Sequence, residues 1–301
     1  MSIDFSSSMP VVPQHAPSTP TVAVAFGAGG ARGFAHILVL EALEELGIEP
    51  VAIAGSSIGA IIGAGKAAGM TAAEMRDHAL ETVGNRKAVV NRIWALRPPS
   101  VRHAIGGFRL GQFNLERILR AFLPSQIPDD FSSLNIPLKV IATDYYAHCE
   151  KLCETGDLYQ ALAASAAIPA LFMPVNLDGR LMIDGGIFNP VPYEHLTGLA
   201  DIIIGVDIVG GPIGAVDALD EVPNRIDSLF GASQLMMQSH LALKLRLGPP
   251  SIFLRPPVNE FGVMDFLKAK QIFETSEPLK DELKRALEAE FARCERFRAV
   301  I

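Results

Sequence analysis

The sequence predicts an α/β fold, a mostly parallel β-sheet with helices on both faces. Three observations carry this. Several apolar runs are short and nearly unbroken, at residues 21–26, 138–143 and 201–208, as in strands buried on both faces. These runs alternate with stretches of helical character, the order that parallel strands with crossover helices require. Glycine-rich turns follow the first two strands directly, where a helix starts.

In chain order, residues 1–20 are rich in serine and proline, with Pro10, Pro13, Pro17 and Pro20, and look like a disordered tail. A single α/β domain is expected over 21–301, with a motif-bearing core at 21–210 and a more helical part from 211 onward. The strand at 21–26 leads into Gly27-Ala-Gly29-Gly30-Ala-Arg32-Gly33, then a helix from about Phe34 to Leu46, stopped by Gly47. The next strand ends in Gly55-Ser-Ser57-Ile-Gly59, and a helix of small apolar residues follows to Ala68. Thr71-Ala-Ala-Glu74 is a capping box that opens another helix. From Gly84 to Asn114 the periodicity weakens. Further on come a strand at 138–143, a helix from Gly156-Asp157 to Ala167 stopped by Pro169, and strands at 181–183, 201–208 and 251–254. A helix at 226–245 precedes the last of these. Leu279, Leu283, Leu287 and Phe291 then mark the core-facing stripe of a final helix.

The totals narrow the function. The 301 residues are 49% apolar and 20% charged, enough for a substantial core, and the net charge of −7 argues against a nucleic-acid partner. Three cysteines, Cys149, Cys153 and Cys294, form no disulfide framework, and the C-x3-C pair lacks further ligands for a metal. They read as ordinary thiols. The N-terminus has neither the basic nor the apolar region of a signal peptide. No run of about 18 apolar residues suggests a spanning helix. A cytoplasmic protein is expected, with contact to a membrane surface left open.

Gly-x-Ser-x-Gly between a strand and a helix is the context of a nucleophile elbow, with Ser57 at the tip and at the positive end of the following helix. The alternative is a tight turn capped by a serine, for which Ser56 serves equally well. The Gly-rich loop lacks the Gly-Lys-Ser/Thr of a phosphate-binding loop and departs from the dinucleotide fingerprint at Arg32. An oxyanion hole is the simplest reading. Gly29 and Gly30 are its best N–H donors and Ala31 a third, with Arg32 either contacting a phosphate or anchoring the loop.

A serine nucleophile needs a proton acceptor in reach. Asp184 ends an apolar strand and precedes two glycines, so its carboxylate can stand at the same sheet edge as Ser57. Asp144, ending the 138–143 strand, is the other carboxylate. His195 would complete the order Ser-Asp-His but sits at a helical start, and His36 lies on a helix body.

Together, Phe26-Gly-Ala-Gly-Gly-Ala-Arg-Gly33, Gly55-Ser-Ser-Ile-Gly59 and Asp184-Gly-Gly186 resemble the patatin-like phospholipases, as do the stretches at 161–169 and 184–192. The resemblance covers about residues 20–210. It implies a patatin-like fold, related in architecture to the α/β-hydrolases, and a Ser57–Asp184 dyad with an oxyanion hole near Gly29 and Gly30. The substrate implied is a phospholipid or lysophospholipid. The sequence shows no acidic calcium loop and no His/Cys ligand cluster, so no metal and no cofactor are expected. Ala28 departs from the pattern, standing where many members have a glycine. Two rivals stay open: an acyltransferase using the same serine, and a non-catalytic lipid-binding module.

One segment adds an expectation about surfaces. Residues 84–114 hold Arg86, Lys87, Arg92, Arg97, Arg102 and Arg109, no acidic residue, and the only tryptophan, Trp94. A solvated helical insertion is one reading. A peripheral contact of residues 86–109 with anionic lipid is the other.

Overall fold

The computed structural model describes residues 19–84, 115–212 and 222–298. The tail expected at 1–20 lies outside these residues except for its last two, and residues 86–109 with Trp94 lie outside them entirely.

The chain opens with β1 (Val22–Phe26), a 3-10 turn (Gly30–Phe34) and α1 (Ala35–Glu45). Next come β2 (Ala52–Ser56), α2 (Ile58–Ala67) and α3 (Ala72–Thr82). Beyond residue 114 follow α4 (Leu115–Phe122), β3 (Leu138–Asp144), β4 (Cys149–Cys153) and α5 (Leu158–Ser165). Strands β5 (Val175–Leu177), β6 (Arg180–Asp184) and β7 (Ile202–Val206) precede the long α6 (Arg225–Leu247). The chain closes with β8 (Ile252–Leu254), α7 (Ala269–Ser276) and α8 (Pro278–Arg298).

The eight strands form one sheet in the order β5-β6-β3-β2-β1-β7-β8, with β4 also on β3. The pairs β1–β2, β1–β7, β2–β3 and β7–β8 are parallel, and those among β3, β4, β5 and β6 are antiparallel. The sheet is therefore parallel at its centre, as expected, and antiparallel on one flank. Strand β4 escaped the sequence reading because Cys-Glu-Lys-Leu-Cys carries two charges and is half open to solvent. Strand β5 is only three residues long.

The central strands sort their side chains by size. Val22, Val24, Phe26 and Ile53 face the thick layer of helices, among Ile37, Leu38, Leu162, Phe273 and Leu283. Ala23, Ala25, Ala52 and Ala54 face the other side, where Val191, Tyr193, Leu196 and Leu241 cover them. Alanines let the short segment around residues 191–196 lie close to the sheet. Helices thus cover both faces, but unequally: among the described residues, α6 is the one α-helix in the thin layer, through Leu241 and Leu245.

The capping box is formed: Glu74 N–H donates to Thr71 Oγ1 at 3.2 Å, and Thr71 N–H donates to Glu74 Oε2 at 2.8 Å. The part of the chain beyond residue 210 joins the same sheet and core. Ile252 of β8 pairs with Ile204 of β7, and Leu279, Leu283 and Leu287 are buried in the main core. Among the described residues, no helix is long and apolar enough to cross a membrane.

Candidate active site

Strand β3 brings the two central residues together. Strand β4 lies along residues 140–144 on one of its edges. On the other edge β2 pairs parallel with Leu138 to Ile141, and β6 pairs antiparallel with Ala142 to Asp144. So β2 and β6 run toward each other along one edge, with Ser56 opposite Ile141 and Asp184 opposite Ala142. The next residue after Ser56 is Ser57. Two strand ends more than a hundred residues apart in sequence therefore deliver Ser57 and Asp184 to one point.

Ser57 sits at φ 56°, ψ −124°, in the left-handed half of backbone space. Such a conformation costs a non-glycine residue roughly 1–3 kcal/mol and persists only where its surroundings hold it. Its N–H donates to Ser165 Oγ at 2.8 Å, and that hydroxyl donates to Ile141 O at 2.5 Å. The flanking glycines allow close approach: a Cβ on Gly59 would lie 2.2 Å from Phe26 O. Ser56 is not the helix cap, because its hydroxyl donates to Asn189 O at 2.6 Å. Ser57 makes no capping bond either, which leaves its hydroxyl for Asp184.

Ser57 Oγ donates to Asp184 Oδ2 at 2.5 Å, and both residues are buried. Asp184 is held by three further hydrogen bonds, one of them to its carboxylate. Its Oδ1 accepts the Gly186 N–H at 2.8 Å, its main-chain carbonyl accepts Thr143 Oγ1 at 2.9 Å, and its main-chain N–H donates to Ala167 O at 3.0 Å. Burial pushes the Asp184 carboxyl up to about 6, against the opposing pull of the Ser57 and Gly186 donors.

The Gly-rich loop wraps over Ser57. Gly30 has φ +61°, and a Cβ there would lie 2.2 Å from Val263 O. Among the described residues, the N–H groups of Gly29 and Gly30 meet no acceptor, and both residues line a cavity with Ser57. One expectation needs correction. The Ala31 N–H donates to Val263 O at 2.9 Å, so this third donor holds the fold together instead. Arg32 is buried, with its Nε donating to Gly29 O at 3.2 Å and the carboxylates of Asp207 and Asp265 acting on its charge. It anchors the loop through Gly29, and it also lines the small cavity that holds Ser57 and Asp184. Because N–H and C=O point oppositely across a planar peptide, drawing Gly29 O toward Arg32 turns the Gly30 N–H the other way.

The other candidate bases are engaged elsewhere. Asp144 pairs with Arg180 at 2.6 Å. His195 Nε2 lies 2.9 Å from Glu150, which keeps the imidazole's proton affinity above the usual range. His36 is buried with Nε2 2.9 Å from Gly27 O, and burial brings it down to about 4. Glu150, Glu194 and His195 have ligand-type atoms within 4.8 Å of one another. The ammonium of Lys244 already lies 2.7 Å from Glu194 there, so a cation is built in. The cysteines are free thiols, and burial raises Cys153 to about 11.

A cavity of about 530 Å³ starts at Ser57 and is walled by apolar side chains, among them Phe34, Ile61, Met75, Leu119 and Phe172. A second, of about 100 Å³, shares Gly30, Ser57 and Ile168 with the first and adds Gly29, Asp184 and Gln234. Sequence reasoning missed Ser165 and Asn189. The signal for Ser165 was a lone hydroxyl in an otherwise apolar helix at 161–168.

Residues 24–197 match the family model described as patatin-like phospholipase. An uncharacterized NTE family protein of Mycobacterium tuberculosis is 39% identical over 208 residues, 69% of this chain and 54% of that protein. Lysophospholipase nte1 of Aspergillus niger is 28% identical, over 84% of this chain and 17% of its own. Human patatin-like phospholipase domain-containing protein 6 is 29% identical, over 84% of this chain and 19% of its own. The chain thus spans about half the length of the mycobacterial relative, and less of the other two. Among solved structures, VipD from Legionella pneumophila aligns at 17% identity and a TM-score of 0.44, covering 88% of this chain and 67% of that one.

Proposed function

The chain belongs to the patatin-like phospholipase family, and from that premise we propose that it is a serine acyl hydrolase. Its substrates are the fatty-acyl esters of phospholipids or lysophospholipids. One observation carries the reading: the 2.5 Å hydrogen bond from Ser57 Oγ to a buried Asp184 whose carboxyl is pushed up to about 6. Such a carboxylate is ionised at neutral pH yet has gained affinity for the serine proton, as a general base requires.

The chemistry then proceeds in two halves. Asp184 takes the Ser57 proton while Oγ attacks the ester carbonyl carbon. The carbonyl oxygen becomes an oxyanion facing the free N–H groups of Gly29 and Gly30, and the start of α2 adds its positive end. The intermediate collapses, the alcohol leaves with the proton from Asp184, and the acyl group stays on Ser57. Water, deprotonated by Asp184, then attacks the acyl carbon. Fatty acid departs as Ser57 recovers its proton. The apolar cavity of about 530 Å³ receives the acyl chain, a volume within the usual range of about 300–1,000 Å³ for small-ligand sites.

The test is labelling with a fluorophosphonate, with mass spectrometry to locate the adduct, beside hydrolysis of a phospholipid and lysophospholipid panel. Wild type is expected to carry the adduct on Ser57. Ser57→Ala carries none, and Asp184→Asn reacts at least roughly a hundred-fold more slowly. Folded wild-type protein that neither labels nor hydrolyses any member of the panel would overturn the proposal.

A further inference from the structure

Helix α6 meets two different surroundings. Its buried side packs Leu241 and Leu245 on the alanine face of the sheet, and Phe230, Gln234 and Met237 line the small cavity beside Ser57. Its outer side is apolar and open: Leu235, Met236, Leu243 and Leu247 are 59, 67, 58 and 90% exposed. Leu229 belongs to both sides, half exposed and a wall of that cavity. The band continues beyond the helix. The Phe188 ring lies 6.3 Å from His240 of α6, and Ile187, exposed next to it, also lines the small cavity. Met264 and Leu267, about half exposed, line the large one.

Large apolar side chains exposed together along one helix face mark a surface that meets a partner. Charge narrows the choice. Beyond Asp227 in its first turn the helix carries no acidic side chain, in a chain of net charge −7, while Arg225 and Arg246 stand exposed near its two ends. An apolar strip edged by cations suits the boundary between anionic headgroups and acyl chains. A second copy of the chain seated here would cover the cavity that Leu229 helps to wall, whereas a lipid surface would open onto it.

We propose that the outer face of α6, with Phe188 beside it, is the surface by which this protein rests on an anionic phospholipid bilayer. The contact sets the mouth at Ser57 against the leaflet from which an acyl chain enters. This rests on the acyl-hydrolase reading for its purpose, but its measurement does not depend on turnover.

The test uses the full chain and vesicles of phosphatidylcholine with and without phosphatidylglycerol, read by co-sedimentation. In the variant Leu235→Glu/Met236→Glu/Leu243→Glu, none of the three replaced residues lines either cavity. This variant is expected to lose at least about ten-fold in binding, since withdrawing even part of three large apolar side chains exceeds the free energy of a factor of ten. Hydrolysis of a water-soluble short-chain ester stays within about two-fold of wild type, which also reports an intact fold. The single change Met236→Gln gives a smaller loss in the same direction, and Arg225→Gln/Arg246→Gln weakens binding only to vesicles with phosphatidylglycerol. Unchanged vesicle binding by the triple variant would overturn the proposal. So would a wild-type dimer in light scattering that the same variant converts to monomer. Wild type that binds vesicles through this face but hydrolyses neither ester would count against the hydrolase reading and leave the docking surface standing.

Discussion

The Ser57 N–H donates a 2.8 Å hydrogen bond to Ser165 Oγ, which lies 108 residues further along the chain and is fully buried. The bond holds a residue with φ 56° at the tip of a turn that its own backbone does not favour. Replacing Ser165 with alanine leaves a buried donor without an acceptor, worth roughly 1–3 kcal/mol. Ser165→Ala is therefore expected to lower stability by about that much in urea unfolding. It is also expected to reduce kcat more than KM, because the nucleophile loses its aim while the cavities keep their walls.

The pH profile should report Asp184. Burial raises its carboxyl to about 6, and the proposed mechanism needs the ionised form. So kcat/KM for a soluble ester is expected to be level at neutral pH and to fall toward ten-fold per unit well below pH 6. A profile still level at pH 5 would remove Asp184 from the role of base.

The same group should destabilise the fold at neutral pH. Its folded value of about 6 lies above the ordinary value of 3.8, so the folded state holds the proton more tightly. The sign follows: stability is full below about pH 4, declines as pH rises through about 6, and stays reduced above, by about 3 kcal/mol. Asp184→Asn removes the charge and keeps an acceptor for the Gly186 N–H. At pH 8 the variant is expected to melt at higher temperature than wild type while losing its activity, with the gap in melting temperature closing toward pH 4. Calorimetry at the two pH values measures both.

How much of this was legible in the sequence follows from which forces are local. The elbow, the Gly-rich loop and Asp184 could be found because tight turns and buried strand ends demand particular residues at fixed spacing. Their meeting could only be expected, since it depends on β2 and β6 sharing one edge of β3, and register is set by tertiary packing. Ser165 and Asn189 were hidden for the same reason: their partners are distant in sequence. Ala31 was misjudged because Val263, which takes its N–H, lies on a loop over two hundred residues away. The large cavity could not be foreseen either, as α2, α3 and α4 each contribute only part of its wall.

Gly30 offers a test of the oxyanion loop separate from the dyad. Its φ is +61°, and a Cβ added there would lie 2.2 Å from Val263 O, which leaves no room for alanine without moving the loop. Loss of one well-placed oxyanion donor costs roughly 10²–10³ in kcat. Gly30→Ala is expected to fall in that range while the Asp184-dependent pH profile keeps its midpoint. A change in midpoint would mean that the loop acts through Asp184 and not on the oxyanion.

The large cavity sets the last expectation. Its walls are almost entirely apolar, so each methylene of an acyl chain that enters should add about 0.8 kcal/mol of binding. With soluble esters of rising chain length, kcat/KM is expected to grow by up to roughly four-fold per methylene. The rise should stop once the cavity of about 530 Å³ is filled. Because the chain is anchored at Ser57, narrowing the cavity away from that end should shorten the preferred chain without disturbing the chemistry. Ile118 of α4 is partly buried and lines the cavity. Ile118→Trp is expected to leave the shortest ester unaffected, lower kcat/KM for the longest at least about ten-fold, and move the plateau to shorter chains. An equal loss at every chain length would mean that the acyl group lies elsewhere, and that this cavity serves the packing of α2, α3 and α4 alone.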